Sequence, residues 1–229
     1  MKTHGRPAVV LLSGGADSTV LLCHAGRHLG HAPLHAISFR YGQRHARELA
    51  CAAHQAERAG ALHTVLDISF MGALLREGSA LVAGGAAVPS LADLAAEDLE
   101  QPPTYVPNRN MMLLAMAAAY AEARGICDVY YGAQAQDEYG YWDCTPDFVR
   151  RLNRVLALNR RNRVWIHAPF AEMRKSEIIR LGLDLGVDFA HTWSCYRGGE
   201  CACGTCPTCV ERLNAFAATG VVDPVPYMT

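Results

Sequence analysis

Short apolar runs alternate with amphipathic stretches along the first third of the chain. Ala8–Leu12 is a continuous apolar run, the pattern of a strand buried on both faces of a parallel sheet. Ser13-Gly14-Gly15 follows, and helical spacing then runs from about Asp17 to Leu29. Leu34–Phe39 predicts a second strand, Arg44–Ala59 a charged amphipathic helix and Leu62–Ile68 a third strand. A βαβαβ series predicts a parallel sheet with right-handed crossovers. Ser69–Pro103 breaks the alternation with Gly84-Gly85, Pro89 and Pro102-Pro103, and its length predicts a lid or mobile insertion. Helices are expected over Asn110–Arg124, around Phe148–Leu156 and over Lys175–Leu185. Strands are expected at Val129–Ala133 and Val164–Ala168.

The chain has 229 residues, 51% of them hydrophobic, which suits one α/β domain over 1–190 and a small segment over 191–229. A net charge of −1 provides no electrostatic footprint for duplex nucleic acid or an acidic membrane. The polar start lacks the apolar core of a secretory signal, and no run of about 18 apolar residues spans a membrane. The expected location is cytoplasmic.

Ser13-Gly14-Gly15-Ala16-Asp17-Ser18 lies between the first strand and the first helix. Glycines let the backbone turn tightly and come close to an anion. Successive N–H groups then form an anion nest at the positive end of the helix. Ser13, Ser18 and Thr19 add hydroxyls. Asp17 repels phosphate unless it binds Mg²⁺ or orients a donor, so it points to a metal-bridged nucleotide. The bland alternative is a helix start with a glycine turn and a Ser/Asp cap. The Walker lysine and the dinucleotide spacing of glycines are both absent. Lysine occurs only at Lys2 and Lys175, against 19 arginines, so a lysine within the fold is unusual here.

Of nine cysteines, five lie between Cys195 and Cys209. Clustering in a chain without a secretory signal points to metal rather than disulfides. Cys203, Cys206 and Cys209 share one turn, and Cys195 supplies a fourth thiolate. Four sulfurs complete tetrahedral Zn²⁺ and leave no open position, which makes the role structural. An iron–sulfur cluster is the rival. Cys201 is an alternative to Cys203, although the Cys-Gly-x-Cys-x-x-Cys run favours Cys203.

The phosphate-loop string resembles the PP-loop of the N-type ATP pyrophosphatases, which cut ATP to AMP and pyrophosphate. With the cysteine knot, the chain resembles the 7-cyano-7-deazaguanine synthase (QueC) family over nearly its whole length. Ser38-Phe39-x-Tyr41-Gly42-Gln43-Arg44-His45, Thr104-Tyr105-Val106-Pro107-x-Arg109-Asn110, Gly140-Tyr141-x-Asp143-Cys144 and Lys175-x-Glu177-Ile178 carry that resemblance. It implies a Rossmann-like PP-loop ATPase fold, with helices on both faces of a parallel sheet and a four-cysteine zinc segment. It also implies conversion of 7-carboxy-7-deazaguanine to the nitrile, in the queuosine pathway, with ammonia, ATP and Mg²⁺. The carboxylate is adenylated, ammonia displaces AMP, and the resulting amide is activated again and dehydrated.

On that resemblance Asp17, Arg109 and Lys175 are the catalytic candidates, the two cations neutralising pyrophosphate. Ser38 and Phe39 join the phosphate loop in holding ATP. Tyr41, Gln43, Arg44, Asp137, Tyr141 and Asp143 are candidates for the deazaguanine, with Asp137 or Asp143 accepting from its guanine-like edge. Cys144 is read as pocket lining. The resemblance further implies a homodimer.

Four positions depart from the family pattern: Arg40 for Asp, Asn108 for Gly or Ala, Trp142 for Pro and Thr145 for Arg. They motivate a second reading, in which the activated deazaguanine passes to another amine, such as one on a partner protein in antiviral defence. A third reading is a zinc-stabilised module that binds or modifies tRNA.

Overall fold

The computed structural model describes residues 5–42, 47–75, 80–81, 88–93, 103–135 and 141–228. Five strands form one parallel sheet: β1 (Ala8–Leu11), β2 (Leu34–Arg40), β3 (Leu62–Asp67), β4 (Asp128–Tyr130) and β5 (Trp165–His167). Their spatial order is β3-β2-β1-β4-β5, so the chain reverses direction across the sheet between β1 and β4. Ligands bind outside the carboxyl ends of strands at such a switch point. β1 sits centrally, with Val10 opposite Ala36 on one side and Tyr130 on the other. A strand buried on both faces reads as an unbroken apolar run, and Ala8, Val9 and Val10 are fully buried.

Alternate residues of β1 serve two cores. Val9 packs with Ile37 and Val129 against α4 (Arg109–Glu122) and α5 (Pro146–Leu156). Ala8 and Val10 pack with Ala36 against α1 (Ala16–Cys23), α2 (Arg47–Arg58), α6 (Lys175–Asp184) and α7 (Pro207–Thr219). Gly182 lets α1 and α6 approach closely, since a Cβ there meets Val20 and Phe189 side-chain carbons at 2.5 Å. That approach brings the start of α6 to the start of α1.

Several elements differ from the sequence pattern. The helix expected over Asp17–Leu29 is α-helical only to Cys23 and continues as a π turn over His24–His28, with the Leu29 amide donating to the His24 carbonyl. β4 and β5 are shorter than their apolar runs. Beyond Tyr131, whose amide donates to the His167 carbonyl at 3.0 Å, the chain leaves the ladder and carries Gly132 past Ser18, whose amide N lies 3.4 Å from a Cβ built on Gly132. The cysteine segment contains α7, which packs on α6, and buried Phe216 meets Phe189 edge-on. Arg212, 2% exposed, makes a bidentate pair with Asp223 at 2.7 and 2.9 Å. α3 (Phe70–Leu75) opens the connection from β3. The described residues Met71, Ala80, Leu81 and Val88 of that connection are buried in the α4 core. Among the described residues no helix is long and apolar enough to cross a membrane.

Candidate active site

The loop after β1 is shaped by a contact that tolerates no side chain. Gly14 has φ +87°, and a Cβ on it lies 2.1 Å from the Glu48 carbonyl oxygen of α2. Gly15 then caps α1 in extended conformation. Hydroxyls pre-set the turn. Ser18 Oγ accepts from the Ser13 amide at 3.2 Å and shares a 2.9 Å bond with Ser13 Oγ. The fully buried Thr19 hydroxyl donates to the Gly15 carbonyl at 2.8 Å, so it braces the loop from behind. The positive end of α1 faces a cavity of about 260 Å³ at the switch point, lined by Ser13, Gly15, Asp17 and Ser18.

Two cations enter this cavity from other elements. Lys175, first residue of α6 and 5% exposed, donates from Nζ to Oδ2 of Asp17. The other oxygen, Oδ1, is buried without a hydrogen-bond partner. A buried carboxylate oxygen left open beside an anion nest fits the coordination of a hard cation such as Mg²⁺. Glu211 of α7 stands 3.8 Å from Lys175 Nζ, and Gln134 donates to its other oxygen at 2.7 Å. Arg109 opens α4 on the opposite wall. Burial pulls its pKa down, but the surrounding Tyr41, Tyr196 and Tyr141 phenols and the Cys144 thiol raise it further. Burial pushes the Tyr41 phenol up, against the pull of Arg109. Glu48 also lines the cavity, and burial lifts its pKa to about 7 despite Arg109.

The remaining sequence candidates divide. Phe39, Tyr41 and Tyr141 line the cavity. The Ser38 hydroxyl lies beneath it, 1% exposed, donating to the Leu12 carbonyl at 2.6 Å with His63 at 2.8 Å. Asp143 is buried behind the wall, where its oxygens accept from the Asn110 amide at 3.1 Å and side chain at 3.3 Å. Burial raises its pKa, and those bonds lower it. Asp143 therefore positions the start of α4 and with it Arg109. Cys144 lines the cavity, 3.2 Å from Asn110 Nδ2. Gln43, Arg44 and Asp137 lie outside the described residues. Glu48, Tyr196 and Glu211 escaped the sequence reading. Each sits in a segment whose local pattern is that of an ordinary helix face or loop.

The sulfurs of Cys195, Cys203, Cys206 and Cys209 all lie within 4.8 Å of one another, with Cys203 and Cys209 3.9 Å apart. Metal–sulfur bonds of about 2.3 Å in a tetrahedron place sulfurs about 3.8 Å apart, so the four fit a metal ion. Cys201 is outside this group. Trp193 joins the knot to the glycine loop after β1. Its amide donates to the Gly14 carbonyl at 2.9 Å and its indole to the Cys195 carbonyl at 3.1 Å. Arg47 of α2 stacks on Trp193 at 4.0 Å and donates to the Gly199 carbonyl at 3.0 Å.

The sequence profile described as Queuosine biosynthesis protein QueC matches residues 7–220. The chain belongs to the QueC family. The 7-cyano-7-deazaguanine synthase of Marinomonas sp. (strain MWYL1) is 42% identical over 220 residues, covering 96% of this chain and 97% of that one. The synthase of the same name from Marinobacter nauticus is 45% identical over 229 residues, 96% of each chain. The family assignment makes the chain an enzyme. Among solved structures, the U34-tRNA thiolase NcsA from Methanococcus maripaludis with its 4Fe-4S cluster has a TM-score of 0.51 at 14% identity. That likeness covers 95% of this chain and 65% of the thiolase, and it shows the shared fold.

In this QueC-family chain the four residues expected to depart from the family pattern each have a structural place. Asn108 adopts φ +55°, the left-handed conformation that Asn tolerates better than most side chains. The Trp142 indole donates to the Tyr105 hydroxyl at 2.8 Å, and Thr145 caps α5 by accepting from the Phe148 amide. Arg40 pairs with Asp67 at the surface.

Proposed function

We propose that the protein is a 7-cyano-7-deazaguanine synthase of the queuosine pathway, acting on 7-carboxy-7-deazaguanine with ATP and ammonia. One observation carries this reading. A chain matching the family over residues 7–220 has one cavity that joins a phosphate loop, Asp17–Lys175 and Arg109.

A carboxylate is a poor electrophile, and adenylation turns it into an acyl group with AMP as a good leaving group. The substrate carboxylate attacks the α-phosphorus of ATP and pyrophosphate departs. Ammonia attacks the acyl carbon and AMP leaves, giving the amide. The amide oxygen is adenylated in turn, and loss of AMP and protons leaves the nitrile. The amides of the Gly14–Gly15 turn and the end of α1 hold the phosphates being expelled. Mg²⁺, when bound at Asp17, screens the phosphate charge. Lys175 is held by Asp17 and Glu211 at the same place, so its charge is fixed before pyrophosphate develops. Arg109 offers a desolvated cation to the substrate carboxylate or the departing pyrophosphate. Tyr41 and Tyr141 offer surfaces to the base, and Glu48 is a second cavity carboxylate, able to accept from its guanine-like edge. Cys195, Cys203, Cys206 and Cys209 would hold Zn²⁺ with no position left open for substrate, so the ion would fasten α7 and take no part in the chemistry. The family resemblance supports a cytoplasmic homodimer.

The test is the mass of the product formed from 7-carboxy-7-deazaguanine, ATP, Mg²⁺ and ammonium. Accumulation of the nitrile is expected. AMP release with no nitrile, or no pyrophosphate release at all, overturns the reading.

A further inference from the structure

A second group of ligand atoms lies outside the cavity. His54 sits in α2, while Asp188 and His191 stand at the two ends of a tight 3₁₀ turn. His54 Nε2 is 3.2 Å from Asp188 Oδ2, and His191 Nδ1 is 2.8 Å from the same oxygen. The two imidazole rings stack, centroids 4.0 Å apart and planes 20° from parallel. The three ligand atoms all lie within 4.8 Å of one another. Gln55, 3% exposed, holds the turn in place, its Nε2 donating to the carbonyls of Asp188 at 2.7 Å and His191 at 2.9 Å.

We propose that His54, Asp188 and His191 form a second metal site, for a divalent first-row cation such as Zn²⁺. Two imidazole nitrogens and one carboxylate oxygen are a common ligand set for such ions, with water completing the coordination. The spacing fits. With metal–ligand bonds of about 2.1 Å, N···O separations of 2.8 and 3.2 Å correspond to N–metal–O angles of about 84° and about 99°. A tetrahedral angle at the same bond lengths needs N···O separations of about 3.4 Å, so the His191–Asp188 pair opens by about 0.6 Å and the His54–Asp188 pair by about 0.2 Å.

Access and support are also present. The side chains of His191 and His54 are 56% and 35% exposed, so an ion can enter and keep water ligands. The buried Gln55 amide orients the turn that presents two of the three ligands, the outer support that metal ligands require. A carboxylate that merely tied α2 to the turn needs one histidine. Here two rings converge on a single oxygen.

The site's position defines its role. An ion held there clamps α2, whose Glu48 carbonyl abuts Gly14, to the segment leading into Trp193, whose amide holds the Gly14 carbonyl. It is a structural clamp beneath the phosphate loop, distinct from the cysteine knot.

The test uses full-length protein already carrying one zinc ion per chain in the cysteine knot, checked by metal analysis. Titration with ZnCl₂ in a calorimeter is expected to show one further saturable equivalent, and the melting temperature is expected to rise with it. His54→Ala and His191→Ala each lose that equivalent and the thermal shift. His31→Ala keeps both, because His31 bonds Tyr130 elsewhere in the fold. His191 is largely exposed, so His191→Ala should melt like wild type before zinc is added. No further equivalent in the wild type, or its persistence in either histidine variant, overturns the proposal.

Discussion

Lys175 Nζ donates to Oδ2 of Asp17, joining the first turn of α6 to the first turn of α1 across 158 residues of sequence. The bond leaves Oδ1 of Asp17 buried and open, so one carboxylate faces an ammonium on one side and offers a cation its second oxygen on the other. A buried lysine is costly unless paired, and the pairing with Asp17 offsets that cost at the wall of the cavity.

Both partners are therefore expected to matter for turnover more than for nucleotide capture. Lys175→Met and Asp17→Asn should each lower the rate of pyrophosphate release by about 10²–10³-fold at saturating ATP and Mg²⁺. For Asp17→Asn the loss should also show as a higher Mg²⁺ requirement. A Lys175→Met enzyme with an unchanged rate removes the lysine from the chemistry.

The two loop glycines should respond differently to the same change. Gly14→Ala forces a Cβ to within 2.1 Å of the Glu48 carbonyl at φ +87°, and should lower the melting temperature by about 5–10 °C. At Gly15 the nearest atom is Ser13 Oγ at 3.3 Å and φ is −77°, so Gly15→Ala should fold with a melting temperature within about 3 °C of wild type. Equal effects in thermal melts contradict the steric account.

Glu48 predicts a specific pH dependence. Its pKa rises from 4.5 to about 7, first through burial, with Arg109 opposing and Cys195 adding. A carboxyl with a raised folded-state pKa stabilises the fold most below its unfolded value and loses that contribution as pH climbs through its folded value. Wild-type stability relative to Glu48→Gln should therefore decline between about pH 4.5 and about pH 7, then level off. Denaturant titrations of both proteins across that window check the sign. A constant difference shows that Glu48 does not change protonation across that window.

Removal of metal from the cysteine knot should disturb the phosphate loop through Trp193. Its indole is anchored on Cys195 and its amide on Gly14, and it is 2% exposed. Chelation should red-shift tryptophan emission and weaken ATP binding together, with both restored when zinc is returned. Unchanged ATP affinity in metal-free protein separates the two sites.

Much of this architecture was legible in the chain, for reasons visible at particular residues. Ala8–Leu12 announced a central strand because burial on both faces removes the polar alternation. Cys203, Cys206 and Cys209 announced a sulfur cluster able to hold a metal because three ligands from one turn need fixed short spacings. Less accessible were the ends of elements. The run Val129–Ala133 continues past its last ladder bond, from the Tyr131 amide to His167, because Gly132 and Ala133 line the cavity. Asp143 was expected at the substrate, and the structure places it buried, accepting from the Asn110 amide and side chain beside Arg109.

The sequence by itself determined what depends on neighbours along the chain: a glycine turn before a helix, a chelating turn of thiols, and the strand–helix alternation that makes a parallel sheet. Only the tertiary structure decided which distant groups meet. Lys175 reaches Asp17 because Gly182 lets α6 press on α1, and Glu48 enters the cavity because α2 lies on Gly14. Contacts of that kind are set by how helices pack on the sheet, and no local spacing encodes them.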